Sequence, residues 1–393
     1  MMFREAQGTL AQFLSPLTIE DFAERVLLGG FVKIEGDPRA PRASLLGPSP
    51  QNVLLGAWHL APKLTFHSAN ATAAAPSLEG VRDAADFQAR IETFHARNYA
   101  VRFPELRPLS SALERVARAL EVVLLKPVTA SAFWSRGGMR APVHYDDHDL
   151  LVAQLQGSKR WYVSSKPSEL NNTWKIIPKG APDLGPHQSV DVRPGDLMYL
   201  PRGTLHSVDS EGESLHVSIG FTPITVREAL IAAVDHLSDL DPGLRTTLSG
   251  QLHFRVNGTG LERMAPPVLN AAAGVLQMCR TPGFLASALQ WRAARAVAAL
   301  EALPQPARPE AVQPDTVLVH AEGAFCNLTA SPETIDVSYP GGHLYIHRGT
   351  QQCVEYIVNT PRFRVRDIPG DVGDDIRVAL AQQFLNSGFL ERA

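Results

Sequence analysis

"PVHYDDHDLLVAQLQGSKRWYV", residues 142–163, decides the reading of this chain. It opens with His144, Asp146, Asp147, His148 and Asp149 crowded into six positions. It then passes into alternating apolar residues, which predict a half-buried strand. So many charges and imidazoles at the mouth of such a strand call for a ligand. His144 and Asp146 are two apart, and on a strand residues i and i+2 face the same way. Their imidazole and carboxylate can therefore converge on one point.

The period of two extends well beyond this stretch. "PVTASAFWS", "LLVAQLQ", "RWYVS", "QSVDVR", "DLMYLP" and "SLHVSIGF" predict short strands between about residues 127 and 222. Turn signals separate them at Arg136-Gly137-Gly138, Gly157-Ser158, Pro194-Gly195-Asp196 and Arg202-Gly203. Many short strands at regular spacing imply a sandwich or barrel, with jelly rolls and cupins among the options. Within this set, "RPGDLMYLPRGTLHSV" delivers His206 at the start of a further strand. Two histidines and one carboxylate, with three coordination positions open, make the facial triad of non-haem Fe(II) oxygenases. An HxD motif alone is more often a surface turn. Its weight here comes from the PGD–strand–PRG–x–x–H element about sixty residues later. Lys159, just past the Gly157-Ser158 turn, places a cation near the inner wall of the barrel. An ammonium there can clamp the far carboxylate of a dicarboxylate ligand. Taken alone, Lys159 and Arg160 also fit solvated turn residues.

The flanking text is different. "LTIEDFAERVLL" begins with Thr18-x-x-Asp21, a capping-box start to a helix, and "GGFVKIEG" predicts a short strand. "LSSALERVARALEVVLL" places Leu113, Val116, Ala117, Leu120 and Leu124 on one helical stripe. After residue 222, "TVREALIAAVDHL" and "FLASALQWRAARAVAALEAL" predict helices, the first opened by Thr225 and Glu228. "LPQPARPEAVQPD" reads as a linker. Beyond it, "HLYIH", "VEYIV" and "FRVRDI" predict strands, and "DDIRVALAQQFLNSG" predicts a closing helix.

With 45% hydrophobic and 20% charged residues, the 393-residue chain has ordinary globular composition. A net charge of -3 provides no overall basic field for nucleic acid or an anionic membrane. The three cysteines are scattered and form no CxxC, so a reducing compartment is expected. No basic segment leading into a long apolar run marks a signal peptide, and no apolar run approaches ~20 residues. A cytoplasmic protein is therefore expected.

"APVHYDDHDLLVAQLQGSKRWYV", "VRPGDLMYLPRGTLHSV" and "SLHVSIGF" together resemble the JmjC-type cupin family that includes the ribosomal oxygenases, over about residues 140–222. The resemblance implies a mainly β core, a double-stranded β-helix of jelly-roll type. It also implies a layout with boundaries at 1–222 (barrel with N-terminal helices), 223–303 (helical dimerisation region), 304–315 (linker) and 316–393 (a small α/β winged-helix-like domain). His144, Asp146 and His206 would hold Fe(II), and Lys159 would bind the distal carboxylate of 2-oxoglutarate. Phe133, Ser135 and His216 would line the co-substrate site. His216 also fits a barrel-interior histidine held by a hydrogen bond. Tyr145, Asp147 and His148, with Asp149, would form the substrate rim. Ser131 stands where relatives commonly carry Asn, and Trp134 where they carry a smaller residue.

The implied activity consumes 2-oxoglutarate and O2, releases succinate and CO2, and hydroxylates a side chain of a protein or peptide. That substrate is a ribosomal protein or a modified peptide by family analogy. The same chemistry on a small biosynthetic intermediate stays open, as does a non-catalytic metal-binding cupin or a non-oxidative one. A homodimer is expected from the family. Direct nucleic-acid binding is not, because the last helix carries Arg377 as its one basic residue.

Overall fold

The computed structural model describes residues 3–166, 183–248, 255–303 and 311–393. It divides into two compact units, one spanning Phe3–Pro223 and the other built from Ile224–Ala393.

The first unit contains the predicted strands. β1 (Val32–Ile34), β2 (Thr65–His67) and β3 (Ala100–Phe103) come from the N-terminal elaboration. β4 (Thr129–Ser135), β5 (Met139–Arg140), β6 (Asp149–Gln156) and β7 (Lys159–Ser164) follow, then β8 (His187–Val192), β9 (Leu197–Leu200), β10 (His206–Ser210) and β11 (Ser214–Phe221). They form a seven-stranded sheet in the order β1-β9-β6-β11-β4-β3-β2 and a four-stranded sheet in the order β5-β10-β7-β8. All pairings among the described strands of this unit are antiparallel. Side chains such as Leu150, Val152, Trp161, Val163, Met198 and Val208 pack between them as a buried cluster. The two-sheet core is the sandwich that the alternation predicts.

One expectation about β6 changes. The strand is buried at seven of its eight positions rather than on alternate ones. It is central in the larger sheet, so both of its faces are covered, and a central strand tolerates a near-continuous apolar run.

Helices α1 (Phe3–Leu14), α2 (Ile19–Leu28), α3 (Pro50–Gly56), α4 (Ala84–Ala96) and α5 (Ser111–Leu124) belong to the same unit. Thr18 caps α2 by accepting from the Asp21 N–H, as its spacing predicts. Ser110 caps α5 in the same way, and Leu113, Val116, Ala117 and Leu120 are buried along it.

The second unit holds α6 (Val226–Leu240), α7 (Ala265–Cys279) and α8 (Phe284–Ala298). Thr225 and Glu228 form the predicted capping box of α6. The expected linker lies partly outside the described residues, since 304–310 are not among them. Beyond it come β12 (Val317–His320), β13 (Asn327–Ala330), β14 (Thr334–Tyr339), β15 (Gly342–His347), α9 (Gln351–Asn359), β16 (Arg362–Arg364), α10 (Asp374–Asn386) and β17 (Leu390–Arg392). They make two three-stranded sheets, β16-β12-β17 and β13-β14-β15. α8 packs on β13 and β14, so the helices and the C-terminal sheets share one unit.

"VEYIV" is helix α9, not the strand its alternation of Val354, Tyr356 and Val358 predicts. The buried residues are Cys353, Val354, Ile357 and Val358, which is helical spacing.

The β6–β7 turn depends on Gly157. Its φ is +60°, and a Cβ there would lie 1.9 Å from the Glu213 carbonyl oxygen. Gly157→Ala should therefore destabilise the protein by about 2–4 kcal/mol, from left-handed strain plus a backbone clash. Urea denaturation measures this, and an unchanged midpoint would contradict the account.

Candidate metal centre and its cavity

Three backbone hydrogen bonds zip residues 144–146 to residues 203–206. The His144 N–H donates to the His206 carbonyl (3.0 Å), the His206 N–H to the His144 carbonyl (2.8 Å), and the Gly203 N–H to the Asp146 carbonyl (2.8 Å). The HxD motif therefore does not open β6, which starts only at Asp149. His144 forms an isolated antiparallel bridge with His206, and Asp146 follows in a loop. Pro142 has no N–H to give, so the pairing that begins along β5 is broken there. The register slips by one residue between Arg140↔Asp209 and His144↔His206. Irregularities of this kind re-aim side chains beside active sites.

Here they converge. One ligand atom from each of His144, Asp146 and His206 lies within 4.8 Å of the other two. The His206 Nε2 is 3.6 Å from the Asp146 Oδ2, and the two imidazole centroids are 4.3 Å apart. The Nδ1 of His144 is 2.8 Å from the Pro142 carbonyl, and that of His206 is 2.9 Å from the Thr204 carbonyl. A carbonyl only accepts, so each Nδ1 carries the proton and donates it. Each Nε2 is left with a free lone pair, which is the tautomer a metal ligand needs. His206 is kept neutral. Burial is the main force pushing its pKa down to about 4, and His144 adds to it while Asp146 opposes. Two imidazoles that present Nε2 and one carboxylate suit a divalent first-row ion.

The triad lies in the wall of a cavity of about 320 Å³ lined from both sheets. Lys159 lines the same cavity and is 2% exposed. Its Nζ donates to the Phe133 carbonyl (3.2 Å) and to Nδ1 of His216 (3.0 Å). Among the described residues no carboxylate pairs with it, and burial alone lowers its pKa to about 7. His216 meets both of its expected roles: it lines the cavity, and a hydrogen bond holds it. Burial first, then the Lys159 charge, holds its pKa well below the usual imidazole value, so Nδ1 stays an acceptor.

The remaining candidates divide. Phe133 lines the cavity and stacks on His216 at 5.0 Å. Ser135, expected beside the co-substrate, does not line it; its hydroxyl donates to Ser210 Oγ instead (3.2 Å), and the lining serines are Ser131 and Ser218. Trp134 lies outside the lining as well, with its indole N–H donated to Glu213. His148 reaches the cavity and donates from Nδ1 to the exposed Asp147 (2.7 Å). Its ring lies against Gly220, where a Cβ would come within 2.5 Å. Tyr145 is half-buried outside the lining.

Asp149 is not at the rim. It is buried, accepts from the Tyr199 hydroxyl (2.7 Å) and the Arg202 N–H (3.0 Å), and so anchors the turn leading to His206. Two titratable lining residues went unread in the sequence, His67 on β2 and Arg102 on β3. Burial pushes the His67 pKa down to about 4, helped by the charges of Lys159, His144 and Arg102.

Residues 108–229 match the model of the JmjC domain. Ribosomal oxygenase 2 of Rattus norvegicus is 28% identical over 130 residues, which is 32% of this chain and 28% of that protein. The bifunctional lysine-specific demethylase and histidyl-hydroxylase NO66 of Dictyostelium discoideum is 34% identical over 106 residues, 25% of this chain and 18% of its own length. The chain thus spans less than a third of the length of these curated relatives. Among solved structures, the Escherichia coli ribosomal oxygenase YcfD aligns over 96% of this chain and 98% of its own, with TM-score 0.53 and 16% identity. A structure of YcfD in complex with cobalt and 2-oxoglutarate aligns with TM-score 0.54. At that identity the likeness establishes the fold, a JmjC/cupin barrel with a mainly sheet core.

The protein should bind one Co(II) per chain, read from the cobalt visible bands. His206→Ala should weaken this by at least about 100-fold, since losing even an outer partner of a ligand typically costs about 10–100-fold. Full-affinity binding by the variant would remove His206 from the ligand set.

Proposed function

From the premise of a JmjC domain at residues 108–229, we propose that this chain is a 2-oxoglutarate- and Fe(II)-dependent oxygenase that hydroxylates a side chain of a protein or peptide. One observation carries the reading: a buried ammonium without an anionic partner shares a cavity with a three-ligand centre. A buried unpaired charge is costly, and an anionic ligand offsets that cost. Bound iron, with 2-oxoglutarate and dioxygen, supplies the oxidation of an unactivated C–H bond and leaves succinate and CO2.

This chain's own part is binding and orientation. His144, Asp146 and His206 would hold the ion. Lys159 has two of its three donors fixed by Phe133 and His216, and the third is free for the distal carboxylate of the keto acid. Phe133 and Trp161 give the cavity apolar walls that keep water from the reacting atoms. His148 and Asp147 stand where a substrate side chain would enter.

The names of the relatives put forward a ribosomal protein as substrate. A cytoplasmic site of action fits the three free cysteines Cys279, Cys326 and Cys353. We read residues 316–393 as a winged-helix-like module for protein contact. Arg377, the one basic residue of α10, is already engaged by the carbonyls of Ile368 and Gly370 and by Asp374. Residues 223–303 are the proposed dimerisation region. Val226, Leu230 and Val234 run exposed along one face of α6, and no side chain described in α7 is buried. An apolar stripe of this kind supports a homodimer.

Lys159 binds an anion only when protonated. Its ligand-free pKa of about 7 means that affinity for 2-oxoglutarate should fall by about tenfold per pH unit above that point. Lys159→Arg, charged at every accessible pH, should flatten the dependence. Calorimetry with the Mn(II)-loaded protein between about pH 7 and 9 reads both. A flat wild-type profile would remove Lys159 as the clamp. The dimer is tested by Val226→Glu with Leu230→Glu, which should halve the mass found by light scattering; an unchanged mass would place the interface elsewhere.

A further inference from the structure

The cavity holds more positive charge than the proposed chemistry uses. Arg102 lines it from β3, yet no hydrogen bond or ion pair ties its guanidinium to any described residue. The fully buried arginines behave otherwise. Arg42 is taken up by the carbonyls of Gly195, Phe13 and Ser15, and Arg107 and Arg118 by Glu114 and Glu121. Asp146 is the one carboxylate among the described lining residues, and it belongs to the metal triad.

The sheet register shows where Arg102 stands. It pairs with Phe133 of β4, and Phe133 pairs with His216 of β11. Paired residues of antiparallel strands share a face. Arg102, Phe133 and His216 therefore form one row along the cavity wall. The Phe133 ring stacks on His216, whose Nδ1 accepts from Lys159. On its other side Phe133 meets His67 at 5.8 Å, next to Arg102. An aromatic ring thus separates two cationic ends of a single cavity.

Only one end is spoken for. A divalent ion, Asp146, Lys159 and a keto-acid dianion sum to zero charge. The Arg102 charge is left over, and a guanidinium does not discharge it by losing a proton. We propose that Arg102 is a specificity-determining residue that holds a carboxylate of the substrate. The group to be hydroxylated would then carry an acidic function or lie directly beside one. The planar fork of a guanidinium matches a carboxylate through two parallel hydrogen bonds. The cavity is small, near the low end of the ~300–1,000 Å³ usual for ligand sites, so the acid must lie within a short side chain of the ion.

The inference rests on the oxygenase reading, and its test keeps the two apart. The probes are N-acetyl-aspartate amide and N-acetyl-asparagine amide, which differ in charge and little in shape. Each is titrated into the Mn(II)-loaded full chain, with and without saturating 2-oxoglutarate. Paramagnetic broadening of the probe protons reports binding beside the ion. The acid should bind about tenfold better than the amide, the scale of one charge-assisted hydrogen bond. Arg102→Gln should abolish the preference, and Arg102→Lys should keep part of it. Equal broadening by both probes in the wild type, or an intact preference in Arg102→Gln, would overturn the proposal. So would a tenfold loss of 2-oxoglutarate affinity in Arg102→Gln, which would assign the residue to the co-substrate. Failure of the wild type to bind 2-oxoglutarate would count against the oxygenase reading instead, and the arm without co-substrate would still decide the role of Arg102.

Discussion

The reciprocal pair of backbone hydrogen bonds between His144 and His206 is the constraint on which the rest of the site depends. It joins two segments that are far apart in the chain and sets both imidazoles side by side. Each ring is then turned by a carbonyl two residues before it, Pro142 for one and Thr204 for the other. Ligand orientation is thus written into local backbone, and the long-range bridge only has to bring two prepared rings together. Asp149 and Tyr199 hold the turn from which His206 departs. Further along, Asp196 accepts from the N–H groups of Gly36 and Arg193, which fixes the turn before β9. The precision of the centre comes from these buried carboxylates as much as from its ligands.

The barrel strands and the triad were legible in the sequence because both leave local marks. Alternation marked the strands. The spacing of His144 to Asp146, with a glycine-bounded strand before His206, marked the centre. Three features were hidden for physical reasons. Asp149 looks like the residues next to it, and only the packing of Tyr199 and Arg202 reveals it as structural. Ser135 lies on the same strand as Phe133, yet its hydroxyl is taken by Ser210 on another strand. Arg102 and His67 enter the cavity through pairings of β3 and β2, and no periodicity records which strand will lie beside which. "VEYIV" misled because alternate apolar positions and a short helical face overlap over five residues.

The two sheets contribute different groups to the cavity. The larger one supplies Arg102, Phe133 and His216 as a continuous row, while the smaller one supplies Lys159, Trp161 and His206. Trp161 lies 5.5 Å from both His206 and His216, so its indole stands between the candidate triad and the histidine that accepts from Lys159.

Lys159 has a consequence for the folded protein as a whole. Its pKa of about 7 stands against an ordinary 10.5, so between those values the unfolded chain binds a proton that the folded chain does not. Stability of the ligand-free fold therefore rises with pH across that interval, and the burden of the buried amine is fully present below about pH 7. Over the same interval an acid ligand loses the protonated partner it needs. Under the proposed clamp role of Lys159, fragility of the ligand-free fold and affinity for an acid are one free energy seen from two ends. An anion paired with Lys159 would thus count as part of the barrel's interior packing, since it would offset the burden that the buried amine places on the fold.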